Sequence, residues 1–141
     1  MADYVATAET EISASPERVW DVLTDPEQIK KFMFGAEVET DWQPGSPITW
    51  QGEYEGKKYT DKGEILAVEK ARLLKVTHYS PLGGQPDVPE NYHTLTYELS
   101  GDDTTRLRLS QDNNGSQDEA DHSAGMWEML VKGVKEAAES N

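Results

Sequence analysis

The chain has 141 residues, no cysteine, and 27 acidic against 13 basic side chains, a formal charge of −14 at pH 7. That length suffices for one core and predicts a single domain over residues 1–141, while the lack of cysteine excludes disulfides and thiolate metal sites. The acidic balance argues against phosphate-backbone binding, which needs clustered Lys and Arg, and equally against anionic membrane surfaces.

The first ten residues lack a basic region followed by an apolar run, so no secretory signal is expected. No apolar run approaches the roughly 20 residues that span a bilayer, so no membrane insertion is expected either. A soluble cytoplasmic protein is the reading these absences favour. Its charge is best read as a solvated acidic surface that maintains solubility; a basic partner is the alternative.

Residues 4–13 alternate loosely and are rich in Val, Thr and Ile, which predicts a first strand. Two helix starts follow. Ser15 is placed to cap one helix with Pro16 at its first position, where a missing N–H costs nothing. Asp25 and Pro26 repeat the arrangement. Val19, Trp20, Leu23, Ile29 and Phe32 give each short helix an apolar side, and such helices need a sheet to lie against.

From Gly35 to Leu109 the chain has almost nothing of helical period. Turn residues at 43–47, 55–58, 69–72, 81–86 and 101–104 divide strands near 36–42, 48–54, 58–69, 72–80, 91–100 and 104–111. The short turns predict antiparallel pairing. Gly63 signals a bulge, which leaves the register beyond it open. Gly83 and Gly84, between Pro81 and Pro86, read as a mobile loop at a pocket mouth rather than as a phosphate cradle.

Asn113 to Ser116 end the sheet. Ser116 followed by Glu119 predicts a capping box, and acidic residues in the next turn suit the helix dipole. The helix is predicted over 117–138, about 33 Å at 1.5 Å per residue, with Trp127, Leu130, Val131, Val134 and Ala138 on one side. Gly133 inside it costs about 1 kcal/mol against Ala, which a packing or cavity-lining role would explain. The order is one strand, two short helices, six strands and one long helix: an α+β fold. The long helix is then the element able to cover the sheet, and a curved sheet around it need not close at its wide end.

Four segments, in this order, resemble a known family. They are Ala14-Ser-Pro-Glu-Arg-Val-Trp-Asp-Val-Leu-Thr-Asp-Pro-Glu-Gln-Ile-Lys-Lys-Phe, Lys62-Gly-Glu-Ile-Leu-Ala-Val-Glu, Arg72-Leu-Leu-Lys-Val-Thr-His-Tyr-Ser and Gly125-Met-Trp-Glu-Met-Leu-Val-Lys-Gly-Val. The chain resembles the START-related (SRPBCC) superfamily, and within it the branch of homologues of the activator of heat-shock-protein ATPase, over about residues 4 to 138. The resemblance implies a helix-grip, Bet v-like fold: a curved antiparallel seven-stranded sheet around a long C-terminal helix, with a cavity between them. That superfamily includes lipid carriers, hormone receptors, polyketide cyclases and many small bacterial proteins. Function has to be argued from the site and not from the fold.

Strand alternation selects the side chains expected to face that cavity. His93, Leu95, Tyr97 and Leu99 share a face, as do Leu74, Val76 and His78, and Ile48, Trp50 and Tyr54 with Gly52 between. The expected ligand-binding set is Trp50, Tyr54, His78, His93, Leu95 and Tyr97 from the sheet, with Met126, Leu130 and Gly133 from the helix. A mostly apolar wall with a few polar tips is how small-molecule pockets are usually lined. The plainer alternative is that these residues fill the core and the polar tips satisfy one another.

His78 and His93 lack a third or fourth ligand of the kind zinc requires, so no metal is expected. No phosphate loop, nucleophile elbow or dinucleotide fingerprint occurs, so no cofactor is expected. His122 reads as a surface residue. The favoured role is binding of an apolar or lipid-like small molecule, by a monomer or homodimer. The resemblance also implies two alternatives: a cyclase- or hydrolase-type enzyme using a cavity His or Tyr, or a co-chaperone-like module with a protein partner.

Overall fold

A computed structural model describes residues 4–33, 35–81 and 84–140, with Tyr54 described by its backbone alone. The elements are β1 (Tyr4–Ile12), α1 (Pro16–Leu23), α2 (Pro26–Phe32), β2 (Glu37–Glu39), β3 (Pro47–Tyr54), β4 (Lys57–Glu69), β5 (Leu73–His78), β6 (His93–Ser100), β7 (Thr105–Asn114) and α3 (Gln117–Glu139). They form one seven-stranded sheet in the order β1-β7-β6-β5-β4-β3-β2. Strands β2 to β7 run as an antiparallel meander, and β1 joins the far edge beside β7. This is the expected helix-grip α+β architecture.

Local chemistry sets the helix starts. Ser15 Oγ accepts from Arg18 N–H at 3.3 Å, and Asp25 Oδ1 accepts from Glu27 N–H at 3.0 Å. Ser116 Oγ accepts from Glu119 N–H at 3.1 Å. The returning arm of this capping box lands one residue early, because the Glu119 carboxylate accepts from Gly115 N–H at 3.2 Å. At the other end of α3, Arg18 donates to the carbonyls of Ala138, Ala137 and Ser140 at 3.3, 3.2 and 3.1 Å. A guanidinium there satisfies carbonyls that a helix end leaves open and suits the negative end of the dipole.

The long helix packs on β1 and β7 and against α1 and α2. Ala6 and Ala8 put only methyl groups on the buried face of β1, which lets a helix lie close. Gly133 performs a similar service at the α2–α3 contact: a Cβ there would lie 2.9 Å from Phe32 Cβ and 3.3 Å from Phe32 Cα.

Gly63 is fixed by close backbone approach, since a Cβ would fall 1.8 Å from the Thr77 carbonyl oxygen. The bulge itself lies three residues on. Ile65 pairs with Val76 but Ala67 with Lys75, so Leu66 is the extra residue, whereas the β3–β4 register runs unbroken through Gly63. Gly52 sits opposite Tyr59, whose hydroxyl would be 2.5 Å from a Cβ on the glycine.

Candidate functional site

Among the described residues the core is closely packed. A void of about 20 Å³ remains between the two short helices and the sheet, bounded by residues that include Leu23, Ile29, Phe32, Trp50, Val76 and Tyr97. It has room for about one water. Among the described residues, none from α3 bounds it. The apolar sides of α1 and α2 line it: Leu23, Ile29 and Phe32 are at most 5% exposed.

The expected ligand-binding residues therefore divide. Trp50 and Tyr97 face inward and adjoin the void. Burial pushes the Tyr97 phenol well above its ordinary pKa, so it stays protonated. Leu95 and Leu130 are fully buried core residues, and Gly133 lies beneath Phe32. Met126 is 42% exposed and bounds neither this void nor the histidine cleft described below, which corrects the expectation that it faces inward. It neighbours buried Trp127, and adjacent helical residues point about 100° apart. The side chain of Tyr54 and the residue Gly83 lie outside the described residues.

His78 and His93 are brought together elsewhere, as cross-strand partners on β5 and β6. Both line a cleft of about 380 Å³ at the ends of β5, β6 and β7, beside the start of α3, along with Tyr79, Glu90, Gln111 and Glu119 among others. His122, as expected, is exposed.

Two acceptors fix the imidazole tautomers. Asp61 Oδ2 lies 2.8 Å from His78 Nε2, with the two side chains 13% and 14% exposed. The ionised carboxylate only accepts, so Nε2 carries the proton and, in the neutral ring, Nδ1 is a lone pair. That Nδ1 and Asp61 Oδ1 are both buried without a hydrogen-bond partner. Trp50 packs edge-on against the His78 ring, with centroids 5.1 Å apart and planes at 67°. His93 Nδ1 lies 2.8 Å from the Asp112 carbonyl oxygen. A carbonyl only accepts, so the neutral ring again presents a lone pair, at Nε2, which has no partner among the described residues.

Asp61 is the residue that sequence reasoning missed. Counting back by two from buried Ile65 passes Gly63 and reaches Asp61 on the inner face; suspecting a bulge at Gly63 stopped that count short. Asp61 also sits opposite Trp50 in the β3–β4 register.

The cleft has a tied-down wall. Tyr79 and Tyr92 stack with centroids 5.3 Å apart, the Tyr79 hydroxyl donates to the Gln85 carbonyl, and Tyr92 donates to Asp87 at 2.6 Å. Lys62 pairs with Asp87, and the ammonium and then the Tyr92 hydroxyl hold that carboxyl below its usual range. On the helix side, Trp127 Nε1–H donates to Gln111 Oε1 at 3.2 Å. Indole N–H only donates, so this bond sets the amide's orientation. Among the described residues, no group of three or more His, Asp and Glu could hold a metal ion.

A family model described as "Activator of Hsp90 ATPase homolog 1-like protein" matches residues 13–139. No curated protein matches the chain. Among solved structures, ChR145 from Cytophaga hutchinsonii is 44% identical, with a TM-score of 0.81 over 94% of this chain and 91% of that one. The Aha1 dimer from Colwellia psychrerythraea is 19% identical, with a TM-score of 0.73 over 99% and 97% of the two chains. CalU16 from Micromonospora echinospora is 21% identical, with a TM-score of 0.72 over 98% and 87%. The last two are likenesses of fold.

Proposed function

Since the chain belongs to the family of Activator of Hsp90 ATPase homolog 1-like proteins, we propose that it binds a small molecule with an apolar body and a polar head, taken up from the His78–His93 cleft. The observation that carries this reading is hydrogen-bonding capacity left open in one place. Among the described residues, His78 Nδ1 and Asp61 Oδ1 are buried without a hydrogen-bond partner, and Nε2 of the neighbouring His93 is engaged by none of them. A buried polar atom left unpaired costs about 1–3 kcal/mol, and a ligand that meets these atoms recovers part of it.

The same place suits the apolar body. His78 lines the cleft while Trp50, packed edge-on against it, bounds the internal void. The Trp50–His78 pair thus stands between a polar cleft and a small apolar void. In this reading the polar head is held at the histidines and the apolar body lies in the cleft itself, against the Tyr79 ring.

Titration of isotope-labelled protein with a library of small aromatic and aliphatic alcohols and amines, followed by NMR, tests this. The expected outcome is saturable movement of the Trp50 indole and the His78 and His93 imidazole signals by at least one compound class, with a raised melting temperature. If no compound moves these three signals at millimolar concentration, the cleft is not a ligand site.

A further inference from the structure

Resting on that reading, we infer that the cleft selects its ligand by charge and hydrogen-bond polarity: it takes neutral or cationic donors, such as alcohols, phenols and amines, and rejects carboxylates and phosphates.

Pairing the donors and acceptors around the cleft leads there. Apart from the amides of Gln85 and Gln111, the side-chain donors named next are engaged within the protein. The Tyr79 hydroxyl is held by the Gln85 carbonyl, the Asn91 amide by the Pro86 carbonyl at 2.8 Å, and the Asn113 amide by the carbonyls of Glu90 and Tyr92 at 2.8 and 3.1 Å. The acceptors are not. Among the described residues nothing engages His93 Nε2, with His78 Nδ1 and Asp61 Oδ1 behind it. Gln111, whose carbonyl is engaged by Trp127, presents its amide N–H₂ as a donor. A hydroxyl, able to donate to His93 and accept from Gln111, matches this set better than a group that only accepts.

Charge points the same way. Among the described residues that line the cleft, Glu90 and Glu119 are acidic and none is Lys or Arg. Asp61 stands directly behind His78, and the whole chain carries −14. An anion entering here meets like charge and no Lys or Arg, so it loses hydration with little replacement. A protonated amine meets the opposite field.

Benzyl alcohol, benzylamine and benzoate share one ring and differ in the head group alone, so they isolate this term at a fixed near-neutral pH. The alcohol and the amine are expected to bind with Kd values at least about tenfold below that of benzoate, moving the His93 and Gln111 side-chain signals. His93→Ala should weaken the alcohol by about tenfold. Glu119→Gln, which keeps an acceptor oxygen for Gly115 N–H, should narrow the gap between alcohol and benzoate by about threefold.

Benzoate binding as tightly as the alcohol, at the same residues, would overturn this selectivity while leaving the binding reading intact. Equal binding of the alcohol by wild type and by folded His93→Ala would also overturn it. If none of the three moves those signals, both readings fall together.

Discussion

Tyr97 shows how one buried side chain couples the core to pH. The residue is 5% exposed beside the small void, and desolvation raises the phenol's pKa above the ordinary value of 10.0. Below that ordinary value the phenol is protonated in folded and unfolded chains alike, and pH has no effect through it. Above that value the unfolded chain releases the proton and the folded chain keeps it. The native state then binds more protons than the unfolded one, so stability falls as pH rises. Between about pH 9 and pH 11 the loss amounts to about 1.4 kcal/mol. Urea unfolding at those two values checks it: wild type should lose about that much more stability than Tyr97→Phe, which has no proton to release. Equal losses in the two proteins would mean that the phenol is hydrated in the folded state.

At the level of elements, two glycines of α3 make a matched pair. Gly125 is exposed, with nothing within 4 Å of a built Cβ, so Gly125→Ala should stabilise the protein by about 1 kcal/mol through helix propensity alone. Gly133→Ala gains the same propensity but drives a methyl against Phe32 Cβ, which the α2 backbone holds in place. Overpacking of that kind costs about 1–3 kcal/mol, so the net effect should be neutral to destabilising by up to about 2 kcal/mol. Denaturant midpoints of the two variants decide it; the same gain in both would show that α2 moves aside freely. These elements also mark what could be read from the sequence. The starts of α1, α2 and α3 were legible because a cap and its proline or glutamate lie within four residues of each other. The inward placement of Trp50 and Tyr97 was legible because strand alternation is local. The bulge at Leu66 was not, since it exists only in the pairing of β4 with β5. Nor was the close packing of the core, which depends on how deeply Leu23, Ile29 and Phe32 reach toward Trp50 and Tyr97. The exposure of Met126 follows from the same packing, because Trp127 takes the inward position beside it.

For the whole molecule the governing quantity is charge. Against 27 acidic side chains there are 13 basic ones, and pairs such as Lys30 with Glu37 or Arg106 with Glu11 lie between well-exposed side chains. Exposed pairs contribute at most about 1 kcal/mol each, while the uncompensated carboxylates repel one another in the compact state more than in the expanded chain. Added salt weakens both terms, but the repulsion is summed over many more pairs at longer range. Raising monovalent salt from about 0.01 M to about 0.15 M shortens the screening length from about 30 Å to about 8 Å, from the size of a small domain to the reach of near neighbours. The melting temperature should therefore rise by several degrees over that interval, as differential scanning calorimetry would register. The same screening acts on the cleft, where Glu90 and Glu119 supply the near field, so the disadvantage of benzoate against benzyl alcohol should shrink over the same salt range. A melting temperature that falls with salt would place the balance with the local ion pairs instead, and would leave the anion rejection to the residues of the cleft alone.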